Sequence, residues 1–62
     1  MTVEEIKNYF NNRAVYIFNG PMSDLQNIVG ASFTILVVNG KIYFSVTERD
    51  DYTPSDERME LI

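Results

Sequence analysis

The sequence predicts a small α+β domain of two layers. An N-terminal helix packs on a three-stranded antiparallel sheet, in the order α-β-(short helix or loop)-β-β, and an acidic C-terminal tail follows that is readable as a short helix. Three observations carry this. Thr2-Val3-Glu4-Glu5 opens an apolar stripe at helical spacing, Asn39-Gly40 separates two apolar runs, and carboxylates crowd the last quarter of a 62-residue chain. Residues 1–47 read as the α/β core and residues 48–62 as the acidic tail.

The helix comes first. Thr2 and Glu5 have the spacing of a capping box, in which each side chain satisfies an amide of the other's turn. Val3, Ile6, Tyr9 and Phe10 then recur at three- and four-residue intervals, one stripe on about three turns. Asn11-Asn12 supplies a stop, because Asn tolerates the left-handed backbone. Residues 14–18 are a β-branched and aromatic run, read as a strand that Asn19-Gly20-Pro21 ends. Residues 23–30 read as a short helix, with Ser23 and Gln26 as a capping box, Leu25, Ile28 and Val29 as its stripe and Gly30 as its stop; an extended lead-in to the next strand is the alternative.

The hairpin is the most specific local signal. A two-residue type I′ turn needs φ > 0 at both central residues, which Asn and then Gly reach at least cost. A two-residue turn at Asn39-Gly40 sets Val38 opposite Lys41, Leu36 opposite Tyr43, Thr34 opposite Ser45, and Phe33 opposite Val46. Alternation puts Phe33, Ile35, Val37, Ile42, Phe44 and Val46 on one face, the expected wall for the Val3/Ile6/Phe10 stripe. Leu36, Val38 and Tyr43 make the opposite face more apolar than a half-solvated hairpin requires. Another layer of this chain covers them, or they are simply exposed, or they are a contact surface for a partner. In the tail, Ser55 is a candidate cap for a helix through Leu61, with a short strand or a frayed end over residues 58–62 as the alternatives.

Composition narrows the chemistry. The chain contains no Cys and no His. Disulfides, thiolate metal sites and the commonest transition-metal ligand are thereby excluded, and so is the commonest general base. Gly20, Gly30 and Gly40 are too sparse for a phosphate-cradling loop. The densest carboxylate group, Glu48/Asp50/Asp51, falls in an expected turn without calcium-loop spacing. No cofactor, metal or catalytic site is expected, and the chain is read as not an enzyme. A domain this short buries only about 60% of its unfolded surface. Association is the stabilising device left to it, and a homodimer is expected. No apolar run reaches the length of a membrane span, no basic-then-apolar leader is seen, and lack of Cys fits the cytoplasm.

Charge is unevenly placed. Residues 1–47 balance Glu4, Glu5 and Asp24 against Lys7, Arg13 and Lys41, so the net charge of −4 resides in residues 48–62. Such a tail repels phosphate backbones and attracts a basic partner.

Over residues 2–47 the element order, Gly20-Pro21 between the first two strands, and "FTILVVNGKIYF" resemble double-stranded-RNA-binding domains. That resemblance implies a final helix opening on a run of lysines. Ser55-Asp56-Glu57 stands there instead, and Met22 rather than histidine follows Gly-Pro. Nucleic-acid binding is therefore not carried over.

The expected function is that of a small acidic, non-catalytic protein-binding or regulatory module. Minimal acidic proteins of this kind are typical of phage or mobile-element products that inhibit host machinery. The expected contact residues are Leu36, Val38, Tyr43, Asp50, Asp51, Tyr52, Asp56, Glu57 and Glu60, facing a protein with a basic surface. The alternatives are a structural homodimeric subunit with no inhibitory role and, disfavoured by charge, a nucleic-acid-binding domain.

Overall fold

A computed structural model describes the whole chain except Ala31, Glu48, Arg49 and Asp50. Its elements are α1 (Val3–Tyr9), β1 (Tyr16–Phe18), α2 (Met22–Val29), β2 (Phe33–Val38), β3 (Lys41–Val46) and β4 (Met59–Leu61). The strands form one antiparallel sheet in the order β2-β3-β1-β4. The chain is thus an α+β domain, with four strands among the described residues where three were expected.

Local chemistry explains the first helix. The Thr2 hydroxyl accepts from the Glu5 amide at 3.2 Å, and the Thr2 amide donates to Glu5 Oε1 at 3.0 Å. That reciprocal pair is the expected capping box. These bonds, chiefly those from Thr2, hold the Glu5 carboxyl below its usual pKa. Asn11 and Asn12 follow at φ 56° and 61°, the left-handed stop read from the sequence. The stripe is narrower than its spacing implied: Ile6 and Phe10 are buried, whereas Val3 and Tyr9 are exposed.

The hairpin has the expected register at every pair from Phe33↔Val46 to Val38↔Lys41. Asn39 at φ 50° and Gly40 at φ 76° give the positive-φ pair of a type I′ turn. α2 begins one residue before the expected cap. Pro21 is its N-cap and makes no side-chain cap bond, so the Ser23/Gln26 box does not form. Pro21 lacks an amide that would need a partner, and its φ of −72° already directs the chain toward the helix.

Each helix takes one face of the sheet, and the faces are exchanged relative to expectation. Leu25 and Val29 of α2, not the α1 stripe, pack with Phe44, Val46, Tyr16, Phe18 and Met59, with Phe33, Ile35 and Ile42 at the margin. Ile6 and Phe10 of α1 pack with Val15, against Leu36, Tyr43 and Ile62. The sheet is therefore the middle of three layers. The physical reason is a second apolar surface: Leu36, Tyr43, Val15 and Ile62 alternate out of the α2 face and need cover of their own.

The C-terminal segment takes the strand alternative rather than the helix. Met59, Glu60 and Leu61 stand opposite Phe18, Ile17 and Tyr16. The pairing is extended at its ends by Asn19 N–H to the Arg58 carbonyl at 2.8 Å and Ile62 N–H to the Val15 carbonyl at 3.0 Å. Long-range pairing with β1 overrides a local helical pattern of only a few residues. The final helix implied by the likeness to RNA-binding domains is thus a strand.

Candidate functional site

The expected contact residues do not form one surface. Leu36 and Tyr43 lie under α1, packed on the cluster of Ile6, Phe10 and Val15. Their excess apolarity is answered by this chain's own layer. Val38 is half-buried at the hairpin end of β2. Tyr52 packs on the other core, its ring edge-on to Tyr16 at 5.7 Å and to Phe44 at 6.5 Å. Its hydroxyl donates to Met59 Sδ at 3.4 Å, and its carbonyl accepts from the Tyr16 hydroxyl at 3.2 Å. Tyr52 therefore fastens the segment before β4 to the sheet.

The acidic residues divide in the same way. Asp56 is clamped to Arg58: Oδ1 accepts from the Arg58 amide at 2.9 Å and from Nε at 3.0 Å, and Oδ2 accepts from Nη2 at 2.9 Å. Those bonds from Arg58 lower the Asp56 pKa to about 2. Arg58 also reaches Asp24 in the first turn of α2 at 3.2 Å and lies over the Phe18 ring, 5.1 Å from its centroid. The guanidinium thus ties α2, β1 and the lead-in to β4 together, and its pKa is raised, first by Asp56 and then by Asp24. Gly20 lies against this clamp. A Cβ there would come within 2.7 Å of Phe18 Cζ and 3.0 Å of Arg58 Nη1.

Asp51, Glu57 and Glu60 are exposed, and Asp50 lies outside the described residues, as does Glu48 of the expected carboxylate group. Among the described residues, no cluster of three or more Asp or Glu side chains is arranged to hold a metal ion. Among the described residues, the carboxyls with shifted pKa values are Glu5 and Asp56, both held as anions by hydrogen bonds. A recess of about 200 Å³ beside the end of α1 is lined by Tyr9, Phe10, Asn11, Arg13, Thr34, Ser45 and Thr47. Arg13 Nη1 donates to the Thr47 carbonyl there at 2.9 Å, which makes the recess a packed corner of helix, strand and turn. No described helix is long and apolar enough to cross a membrane.

A helix packs on each face of the sheet, and its two edge strands, β2 and β4, differ sharply. β4 is three residues long, carries Glu60, and follows Glu57 and Pro54. Short length, charge and a nearby proline are the devices by which proteins blunt an edge. β2 has none of them. It runs six residues, Phe33-Thr34-Ile35-Leu36-Val37-Val38, with no charge, proline, glycine or break in register. Val37 is 51% exposed, and every other side chain of the strand is half-buried rather than buried.

The hairpin geometry says which β2 amides point away from β3. The Thr47 amide donates to the Ser32 carbonyl at 3.1 Å, and a type I′ turn bonds Val38 to Lys41. Even-numbered residues therefore bond to β3, and the amides and carbonyls of Phe33, Ile35 and Val37 point outward along the edge. This edge was missed in the sequence because strand order is not a local property. One signal did bear on it: residues 25–47 contain no carboxylate at all. Comparison of the chain with protein families, with curated proteins and with solved structures finds no match in any of the three.

Proposed function

We propose that the chain is a non-catalytic protein-binding module whose contact element is the outer edge of β2. The observation that carries this reading is the contrast between the two edges, one short and acidic, the other long, uncharged and apolar. Strand addition at such an edge draws affinity from outward-pointing backbone groups and specificity from alternate side chains. Phe33, Ile35 and Val37 provide both.

A second reading rests on exposed Asp51, Glu57 and Glu60. These side chains suit a basic partner, including one whose nucleic-acid groove they would occupy in an inhibitory role. Capture of partners from the native cell's lysate separates the two modes. Val37→Pro removes an amide that points away from β3, a place where an edge strand accommodates proline. Under strand addition, Val37→Pro abolishes capture and the Glu57→Gln/Glu60→Gln pair leaves it intact. The opposite pattern, with capture weakened by salt, would transfer the function to the acidic side chains.

A further inference from the structure

We infer that the occupant of the β2 edge is a second copy of this chain, paired antiparallel about a two-fold axis at Ile35; the inference rests on β2 being the contact edge. In this register Ile35 stands opposite its own copy, and Phe33 of each chain stands opposite Val37 of the other. All three residues are the ones whose amides and carbonyls point outward, so each opposed pair exchanges two backbone hydrogen bonds. An isologous interface demands such self-complementarity.

Three observations favour a like partner. First, the paired strand brings no electrostatic conflict of its own. The chain carries a net charge of −4, yet residues 25–47 contribute only Lys41, so two copies of β2 can pair without opposing carboxylates from the hairpin. Second, the pairing continues an existing core. Phe33 and Ile35 sit at the margin of the cluster of Phe44, Val46 and Leu25, and Val37 shares their face of β2. Opposing them across the axis covers the side chains that a single copy leaves half-buried or exposed. Third, the assembly closes. The outer strands of the resulting eight-stranded sheet are both β4, short and acidic, so pairing stops at two copies rather than growing into a fibre. The seam is one strand wide, at the small end of specific interfaces, below about 1,200 Å² in total. Reversible, concentration-dependent association is the consequence.

The experiment is a concentration series of the full chain by sedimentation velocity, with two edge variants and a single-cysteine scan. The 7.2 kDa chain should move to twice that mass as concentration rises. Val37→Pro and Val37→Glu should stay monomeric with unchanged circular dichroism. The two substitutions act differently, one on an outward amide and one by adding charge to an exposed side chain, so a folding failure in either leaves the other informative. The natural chain has no cysteine, so single substitutions report cleanly. Ile35→Cys places its Cα about 5.5 Å from its copy, within disulfide reach. Thr34→Cys and Leu36→Cys place theirs about 8 Å apart, beyond it. Oxidation should therefore cross-link the Ile35→Cys variant fastest. A monomer at every concentration would overturn the inference, and a different protein lost on Val37→Pro would then still support the module reading. A dimer indifferent to both Val37 variants would overturn both. Fastest cross-linking at position 34 or 36 would overturn the register.

Discussion

Truncating Met59 to alanine tests whether the C-terminal segment is built into the fold. Met59 is 6% exposed, stands opposite Phe18 in the sheet, and accepts the Tyr52 hydroxyl on its sulfur. Removing such a side chain loses its burial and leaves a cavity among Tyr52, Phe18 and Tyr16, a cost of about 2–4 kcal/mol. Scaled per residue, a domain of this length has a total stability of about 3–9 kcal/mol, so the loss is a large fraction of the whole. At roughly 4–8 °C per kcal/mol for so small a domain, the midpoint should fall by about 10–30 °C. Leu61→Ala is the matched control. Leu61 lies two residues along the same strand but is 66% exposed, and its truncation should change stability by no more than about 0.5 kcal/mol. Thermal and urea unfolding, followed by circular dichroism, compares the three proteins. Equal, small effects of both substitutions would mean that β4 does not pack on β1.

Two further predictions concern the Arg58 clamp and the hairpin turn. Gly20→Ala should cost about 1–3 kcal/mol, since its Cβ meets the buried Phe18 ring, a case of overpacking. Gly40→Ala meets no atom within 4 Å and should cost only about 1 kcal/mol, from the positive φ alone. Urea midpoints rank the pair, and the reverse order would contradict the packing at Gly20. Asp56 has its pKa lowered from 3.8 to about 2 in the fold. Its contribution to stability is therefore fully present above pH 3.8 and is lost as pH falls toward 2. Asp56→Asn should be less stable than the natural chain at neutral pH, and its decline across that acid window should be shallower. Parallel acid-unfolding curves would count against the clamp.

What was legible in the sequence was what short-range chemistry determines. The Thr2/Glu5 box, the Asn11-Asn12 stop and the full hairpin register each depend on a few adjacent residues and their backbone preferences. Alternation in β2 and β3 also marked two apolar faces. It could not assign a helix to each, because Ile6/Phe10 and Leu25/Val29 are equally apolar and the choice depends on connection geometry. β4 was only one of the readings of residues 58–62 for a related reason: three residues carry too weak a strand signal to decide against a helix, and their partner, β1, is about forty positions upstream. The acidic residues looked alike in one dimension. Only the fold separates Asp56, held by Arg58, from exposed Glu57 and Glu60. The β2 edge required knowledge of strand order. Its sequence trace, the absence of any carboxylate from residues 25–47, acquires meaning only once that order is known.

Amide hydrogen exchange along β2 reads the outward backbone groups themselves. Thr34, Leu36 and Val38 bond to β3 and should exchange slowly at all concentrations. Phe33, Ile35 and Val37 should exchange fast in dilute solution and slow markedly as the chain is concentrated. Fast exchange of all three odd-numbered amides, even in concentrated solution and with a captured partner present, would mean that the β2 edge is not a contact element.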